Sequence, residues 1–244
     1  MTKDIEAIFF DMGTTLRTRV ADEELRQQAV EQVLALLEIK ESPEEFYRRL
    51  AERYSAYRQW AQETLIEAPE REIWTRWMLP EWPYEQIEPL AEQLTHLWRC
   101  TEGRRIVRPD ARMVVAELAR RGYRLGVISN TISAHAVPQG LEEYGLADYF
   151  ETVVLSSTFG WRKPDPAIFW EAARRLGVSP ARSAYVGDQI SRDVVGPRRA
   201  GFAMAIIIDN PRAREQAQEY SAFKPDVVIQ ELSELLDMFD CARS

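Results

Sequence analysis

The feature that most constrains the fold is short. Ala7-Ile8-Phe9-Phe10 runs without a polar break into Asp11, and Met12-Gly13-Thr14-Thr15-Leu16 follows. A brief apolar run with no polar alternation reads as a strand buried on both faces. Asp11 then stands at the strand's C-terminal end, where open α/β sheets place their ligand crevice. Gly13, Thr14 and Thr15 are small enough to let the backbone approach a bound group and offer its N–H donors to an anion. Taken alone, a strand ending in a turn aspartate is an ordinary structural feature, so the rest of the chain has to decide.

From Arg108 onward strands and helices alternate. Apolar runs at 123–128, 152–155, 184–186, 203–208 and 226–229 are separated by segments with helical spacing. This rhythm predicts a doubly wound, Rossmann-like, mostly parallel sheet. Between Leu16 and Arg105 the pattern is different. Leu25, Ala29, Val33, Leu36 and Leu37 recur at helical spacing, Ser42-Pro43-Glu44-Glu45 is a capping box, and Phe46, Leu50, Tyr54, Tyr57 and Trp60 follow it. No strand pattern appears there. The reading is an α/β core built from residues 1–16 and 105–244, with an all-helical cap inserted over 17–104. Five of the seven tryptophans fall in that insert. Each is either a wall of a substrate pocket or core of a small bundle that needs large side chains, and their helical recurrence favours core.

Composition narrows the function. The formal charge is −8, with no basic tail or block, which argues against a nucleic-acid partner. Cys100 and Cys241 form no CxxC pair, so neither a zinc site nor a disulfide framework is expected, and a reduced, cytoplasmic setting fits. No apolar stretch is long enough to span a membrane. Basic residues are nearly all arginine; the lysines are Lys3, Lys40, Lys163 and Lys224. Lys163 stands out for that reason.

Three later segments carry polar residues where strands end. They are Leu125-Gly126-Val127-Ile128-Ser129-Asn130, Trp161-Arg162-Lys163-Pro164-Asp165-Pro166, and Tyr185-Val186-Gly187-Asp188-Gln189-Ile190-Ser191-Arg192-Asp193. With the segment around Asp11, in this order, they resemble the four motifs of the haloacid dehalogenase superfamily of aspartate-nucleophile hydrolases. The resemblance covers the chain outside about 17–104, the position where one class of the superfamily inserts a helical cap.

The resemblance implies a chemistry. Asp11 is the expected nucleophile, forming an aspartyl-phosphate that splits hydrolysis into two steps. Ser129 and Lys163 are expected to complete the catalytic set and, with Thr14, Thr15 and Asn130, to bind phosphate. The implied cofactor is Mg2+, held by Asp11, the Gly13 carbonyl, Asp188 and Asp193, an oxygen shell of the kind magnesium prefers. Asp193 also reads as a helix-start aspartate complementing the dipole, and Ser129 as a cap serine. The substrate class is a small phosphorylated metabolite. One position departs from the family pattern: where a second aspartate normally protonates the leaving group and activates water, this chain has Gly13. Three readings follow. The enzyme acts on good leaving groups such as acyl phosphates; or it works like phosphonoacetaldehyde hydrolases, with Lys40 as the only cap lysine for a Schiff base; or it binds a phospholigand and turns it over poorly. His135 is a candidate substitute acid, or simply a surface loop histidine. A dehalogenase fits less well, because that branch uses no metal and lacks the Gly187-Asp188 pattern.

Overall fold

The computed structural model describes residues 4–240; Cys241 and Lys3 lie outside them. Strand β1 (Ala7–Phe10) is fully buried, and its residues feed two separate clusters. Ile8 and Phe10 point into one hydrophobic core, and Ala7 and Phe9 into another on the opposite face. An uninterrupted apolar run is what such a two-faced position requires.

The chain then forms β2 (Arg17–Val20), helices α1 (Glu23–Leu36) and α2 (Pro43–Thr64), and α3 (Glu70–Glu72), which continues as a π-helical turn over Ile73–Met78. Next come α4 (Tyr84–Ile87), α5 (Ala91–Thr101) and β3 (Arg104–Val107). Between α4 and α5 lies a 3-10 turn at Glu88–Leu90, where Pro89 cannot donate a helical N–H. The expectation of no strand within 17–104 is corrected. β2 pairs antiparallel with β3, from Arg17↔Val107 to Val20↔Arg104, as a two-stranded ribbon by which the chain leaves and re-enters the core. Both strands are arginine-rich and only partly buried, so no apolar signal marks them.

The helices between these strands share their own cluster, around Phe46, Leu50, Tyr57, Ile73, Trp74 and Leu94. Trp74 and Trp98 are buried in it, and Trp60, Trp77 and Trp82 pack against it. The tryptophans of this segment are therefore bundle core.

The remaining elements are α6 (Ala111–Arg120), β4 (Arg124–Ser129), α7 (Ala136–Glu143), β5 (Thr152–Leu155), α8 (Ser156–Phe159), α9 (Pro166–Leu176), β6 (Ser183–Gly187), α10 (Ile190–Asp193), α11 (Val195–Ala200), β7 (Met204–Ile208), α12 (Pro211–Glu219), β8 (Val227–Ile229) and α13 (Leu235–Met238). The main sheet has six parallel strands in the order β5-β4-β1-β6-β7-β8. The order reverses at β1, which places Asp11 at the switch point between β4 and β6. Among the described residues no helix is long and apolar enough to cross a membrane.

The helical segment is tied to the core by a buried joint. Residues on either side of Ile66 and Trp161 bridge antiparallel, with Glu67 N–H donating to the Gly160 carbonyl at 2.8 Å. The Glu67 carboxylate, 2% exposed, then accepts from Arg162, from Ser156 Oγ at 2.6 Å and from the Tyr57 hydroxyl. A buried charge is tolerable only when paired and bonded on every side, as here.

Candidate active site

Strands β1, β4 and β6 end together, and their C-terminal residues converge. Asp11 follows β1, Ser129 closes β4, and Asp188 follows β6. Gly187 is required here: a Cβ added to it would meet the Asp193 side chain at 2.4 Å. That close approach lets Asp193 fold back on the loop and accept the N–H groups of Asp188 and Gln189, each at 3.1 Å.

Lys163 joins these parts. Its Nζ donates to Asp11 Oδ1 at 2.9 Å, Asp193 Oδ1 at 2.8 Å and the Tyr185 hydroxyl at 2.6 Å, so all three ammonium protons are used. The Tyr185 hydroxyl donates onward to the Ile128 carbonyl. Asn130 is engaged with the lysine's own backbone. Its amide clamps the Lys163 backbone in both directions, at 2.9 and 2.8 Å.

Arg192 is the contact that sequence reasoning missed. Its guanidinium donates to Asp11 Oδ2 at 3.2 Å and Asp188 Oδ1 at 2.9 Å. The only signal for it was its position four residues after Asp188, one helical turn on. Burial opposes the charge on Arg192, but Asp193, Asp11 and Asp188 outweigh it and raise its pKa. Burial would likewise raise Asp193, yet Lys163 and Arg192 hold it below the usual carboxylate range. Asp188 behaves differently. Burial, reinforced by Asp193 and Asp11 against the pull of Arg192, pushes its carboxyl up to about 7.

The oxygens of Asp11, Asp188 and Asp193 lie within 4.8 Å of one another. Three carboxylates face two cations, Lys163 and Arg192, which leaves the cluster one positive charge short. A hard divalent cation fits such a donor set. Asp193 is held by Lys163 on one oxygen and by two backbone N–H groups on the other and does not line the cavity, whereas Asp11 and Asp188 carry fewer contacts and do line it, so these two are the carboxylates placed to face the ion.

A cavity of about 360 Å³ opens over this cluster. Asp11, Gly13, Thr14, Ser129, Asn130 and Asp188 line it. Lys163 touches the carboxylates without being part of the lining. Thr15 departs from expectation. Thr14 has a left-handed φ of 63°, which turns the chain back, and Thr15 ends fully buried outside the cavity. Gly13 itself has no need of left-handed backbone, and a Cβ there would meet no atom within 4 Å. Lys40 is exposed in the connection between α1 and α2 and does not line the cavity. His135 does not either; it lies half-exposed, 3.5 Å from Glu92. Arg17, Arg58, Arg99 and Arg105 line the cavity and carried no sequence signal, being dispersed among many arginines.

Comparison with known proteins agrees with this arrangement. The family model for haloacid dehalogenase-like hydrolases matches residues 5–201. The chain is 34% identical over 130 residues to a glyceraldehyde 3-phosphate phosphatase of Methanopyrus kandleri, covering 53% of this chain and 55% of that protein. The matched region thus spans little more than half of that relative's length. A haloacid dehalogenase-family phosphatase structure from Thermococcus onnurineus superposes with a TM-score of 0.64 at 26% identity, covering 98% of this chain and 100% of the other. A 2-haloacid dehalogenase from Pseudomonas syringae shares the fold, with a TM-score of 0.67 at 23% identity over 96% of this chain and 98% of its own. With the family model matching most of the chain and the four motifs gathered at one sheet edge, the protein belongs to the haloacid dehalogenase-like hydrolases.

Proposed function

We propose that this chain is a Mg2+-dependent phosphatase of small phosphorylated metabolites, working through an aspartyl-phosphate on Asp11. The observation that carries the reading is the Asp11 carboxylate. It sits at the sheet's switch point on a cavity wall, one oxygen held by Lys163 and the other turned toward Arg192 and Asp188. A carboxylate fixed in this way is oriented for attack on phosphorus. The phosphatase names and titles of relatives support the same class.

In the first step an Asp11 oxygen bonds to phosphorus as the ester P–O bond breaks, and the departing oxygen takes its proton from water. In the second, water adds to phosphorus, releases inorganic phosphate and restores the carboxylate. Ser129 lines the cavity and donates its hydroxyl to a phosphoryl oxygen, and the Thr14 backbone lies alongside. Lys163 holds its positive charge against Asp11 where an anionic substrate would approach. Asp11, Asp188 and the Gly13 carbonyl would hold the metal, with Asp193 bracing Lys163 and the Asp188 loop. When bound, the ion supplies positive charge against the phosphoryl oxygens. We also propose that the helices over 17–104 act as a cap, since α2 and α5 contribute Arg58 and Arg99 to the cavity. The Schiff-base reading loses its support, because Lys40 is remote from the cavity lining.

The test is a panel of phosphate monoesters and an acyl phosphate, each with Mg2+ and with chelator. Phosphate release should require the metal, and Asp11→Asn should lower turnover by at least about 10³-fold while circular dichroism stays unchanged. Full activity in chelator, or substantial activity in the variant, contradicts the proposal.

Metal affinity should depend on pH. The metal needs Asp188 ionised, and its carboxyl is held up to about 7, so protons compete below that value. Titration calorimetry should show Mg2+ binding weakening by up to about tenfold per pH unit below neutrality and levelling off above it. A flat profile removes Asp188 from the metal site.

Gly13→Asp tests the missing acid. The position has open space and ordinary backbone, so the substitution should fold. Turnover of alkyl phosphates should then rise, toward the roughly 10²-fold scale of general acid–base help, and acyl phosphates should gain less. A folded variant that binds Mg2+ and shows no gain means that leaving-group protonation does not limit the reaction.

A further inference from the structure

The protein carries a net charge of −8, yet one wall of its cavity is strongly basic. Arg17 comes from β2, Arg105 from β3, Arg99 from α5 and Arg58 from α2, four elements converging on one space. Glu102 is the carboxylate among them; its Oε2 accepts from Arg105 at 2.5 Å, and Arg19 lies 3.6 Å from its Oε1. Among the described residues, Arg17 and Arg99 have no carboxylate within 4.0 Å. Arg99 Nη1 has only a long contact, 3.4 Å, to the Thr131 hydroxyl. Arg17 is 7% exposed. Burial, then Arg105 and Arg17, brings the Arg99 pKa down to about 10, and burial with Arg105 lowers Arg17 as well. One carboxylate for four guanidinium groups leaves the space short of counter-charge, which is costly unless an anion completes the set.

The cations of this wall are not those of the catalytic cluster. Arg17 lies one turn beyond Gly13, linked to it by a backbone bridge, whereas Lys163 and Arg192 are spent on Asp11, Asp188 and Asp193. One cavity of about 360 Å³ therefore holds the proposed phosphoryl site, where a bound metal would supply the positive charge, and a second, arginine-rich wall, enough room for a ligand of a few carbons with an anionic group at each end. Building on the phosphatase reading, we infer that Arg17, Arg58, Arg99 and Arg105 bind a second anionic group of the substrate. The preferred substrates are then short phosphate monoesters that also carry a carboxylate or a second phosphate. Both groups match the planar fork of arginine.

The experiment compares three esters of one length: propyl phosphate, 3-phosphooxypropanoate and propane-1,3-diyl bisphosphate. In the wild type, kcat/KM for at least one of the doubly anionic esters should exceed that for propyl phosphate by roughly 10- to 100-fold, the scale of a charge-assisted hydrogen bond. The carboxylate and bisphosphate arms tell which anion the wall takes. Arg99→Met should collapse that ratio, and Arg99→Lys should restore part of it. Equal kcat/KM for all three esters in the wild type overturns the inference, as does a ratio that survives Arg99→Met. Binding of the same esters to Asp11→Asn protein, measured by calorimetry, separates this inference from the parent reading. If no ester is hydrolysed but the doubly anionic ones bind at least tenfold more tightly than propyl phosphate, the anion wall stands and the phosphatase reading falls. If the three bind alike, the wall is not an anion site.

Discussion

The structure depends on one buried cation. Lys163 is 3% exposed and reaches three acceptors at once, just after β1, on β6 and on α10. An ammonium group in that position is stable only if every proton is placed, and each carboxylate only if the ammonium stays. Removing one partner would leave an uncompensated charge, at a cost of about 3–5 kcal/mol. The interaction therefore fixes where the segment after α8 must lie, which loops must meet at the end of the sheet, and how Asp11 is aimed. Asn130 extends the constraint by clamping the lysine backbone to the end of β4. Next to it in sequence, Arg162 fastens the helical segment through Glu67. Adjacent residues thus anchor Asp11 and the helical segment.

Much of this was legible in the sequence, for physical reasons. Ala7–Phe10 must be covered on both faces, so a central parallel strand was readable from four residues. Asp11, Ser129 and Asp188 stand at strand ends, where polar side chains after apolar runs announce themselves, Asp193 closes the short α10 that follows, and Lys163 was visible because lysine is rare here. The ribbon of β2 and β3 was not legible. Its strands are four residues each, rich in arginine and far apart in sequence, so their pairing is a tertiary fact. Thr15 reads as a phosphate ligand by its neighbours, and only the left-handed turn at Thr14 shows that it faces inward. The clamp made by Asn130 was not legible either, because its amide meets the backbone across a separation of 33 residues, which no local pattern records.

The cavity combines two opposite electrostatic designs. At the sheet edge three carboxylates outnumber two cations, which favours a metal. On the facing side guanidinium groups outnumber carboxylates, which favours an anion. The first comes from residues at strand ends of the α/β core. The second comes from α2, α5 and the ribbon, so the inserted segment brings its own chemistry to the site. In between lies Gly13, with open space where a side chain would fit, so its lack of a carboxyl is a feature of the chemistry rather than of the backbone.

The central claim is that Asp11 carries the phosphoryl group. Protein mixed with substrate and Mg2+, then quenched in acid within the first turnover and digested, allows the group to be located by mass spectrometry. The account predicts one phosphoryl group, on the peptide that contains Asp11, and none in Asp11→Asn protein. A phosphoryl group on any other side chain, or a full turnover of product formed while Asp11 stays unmodified throughout, would contradict it.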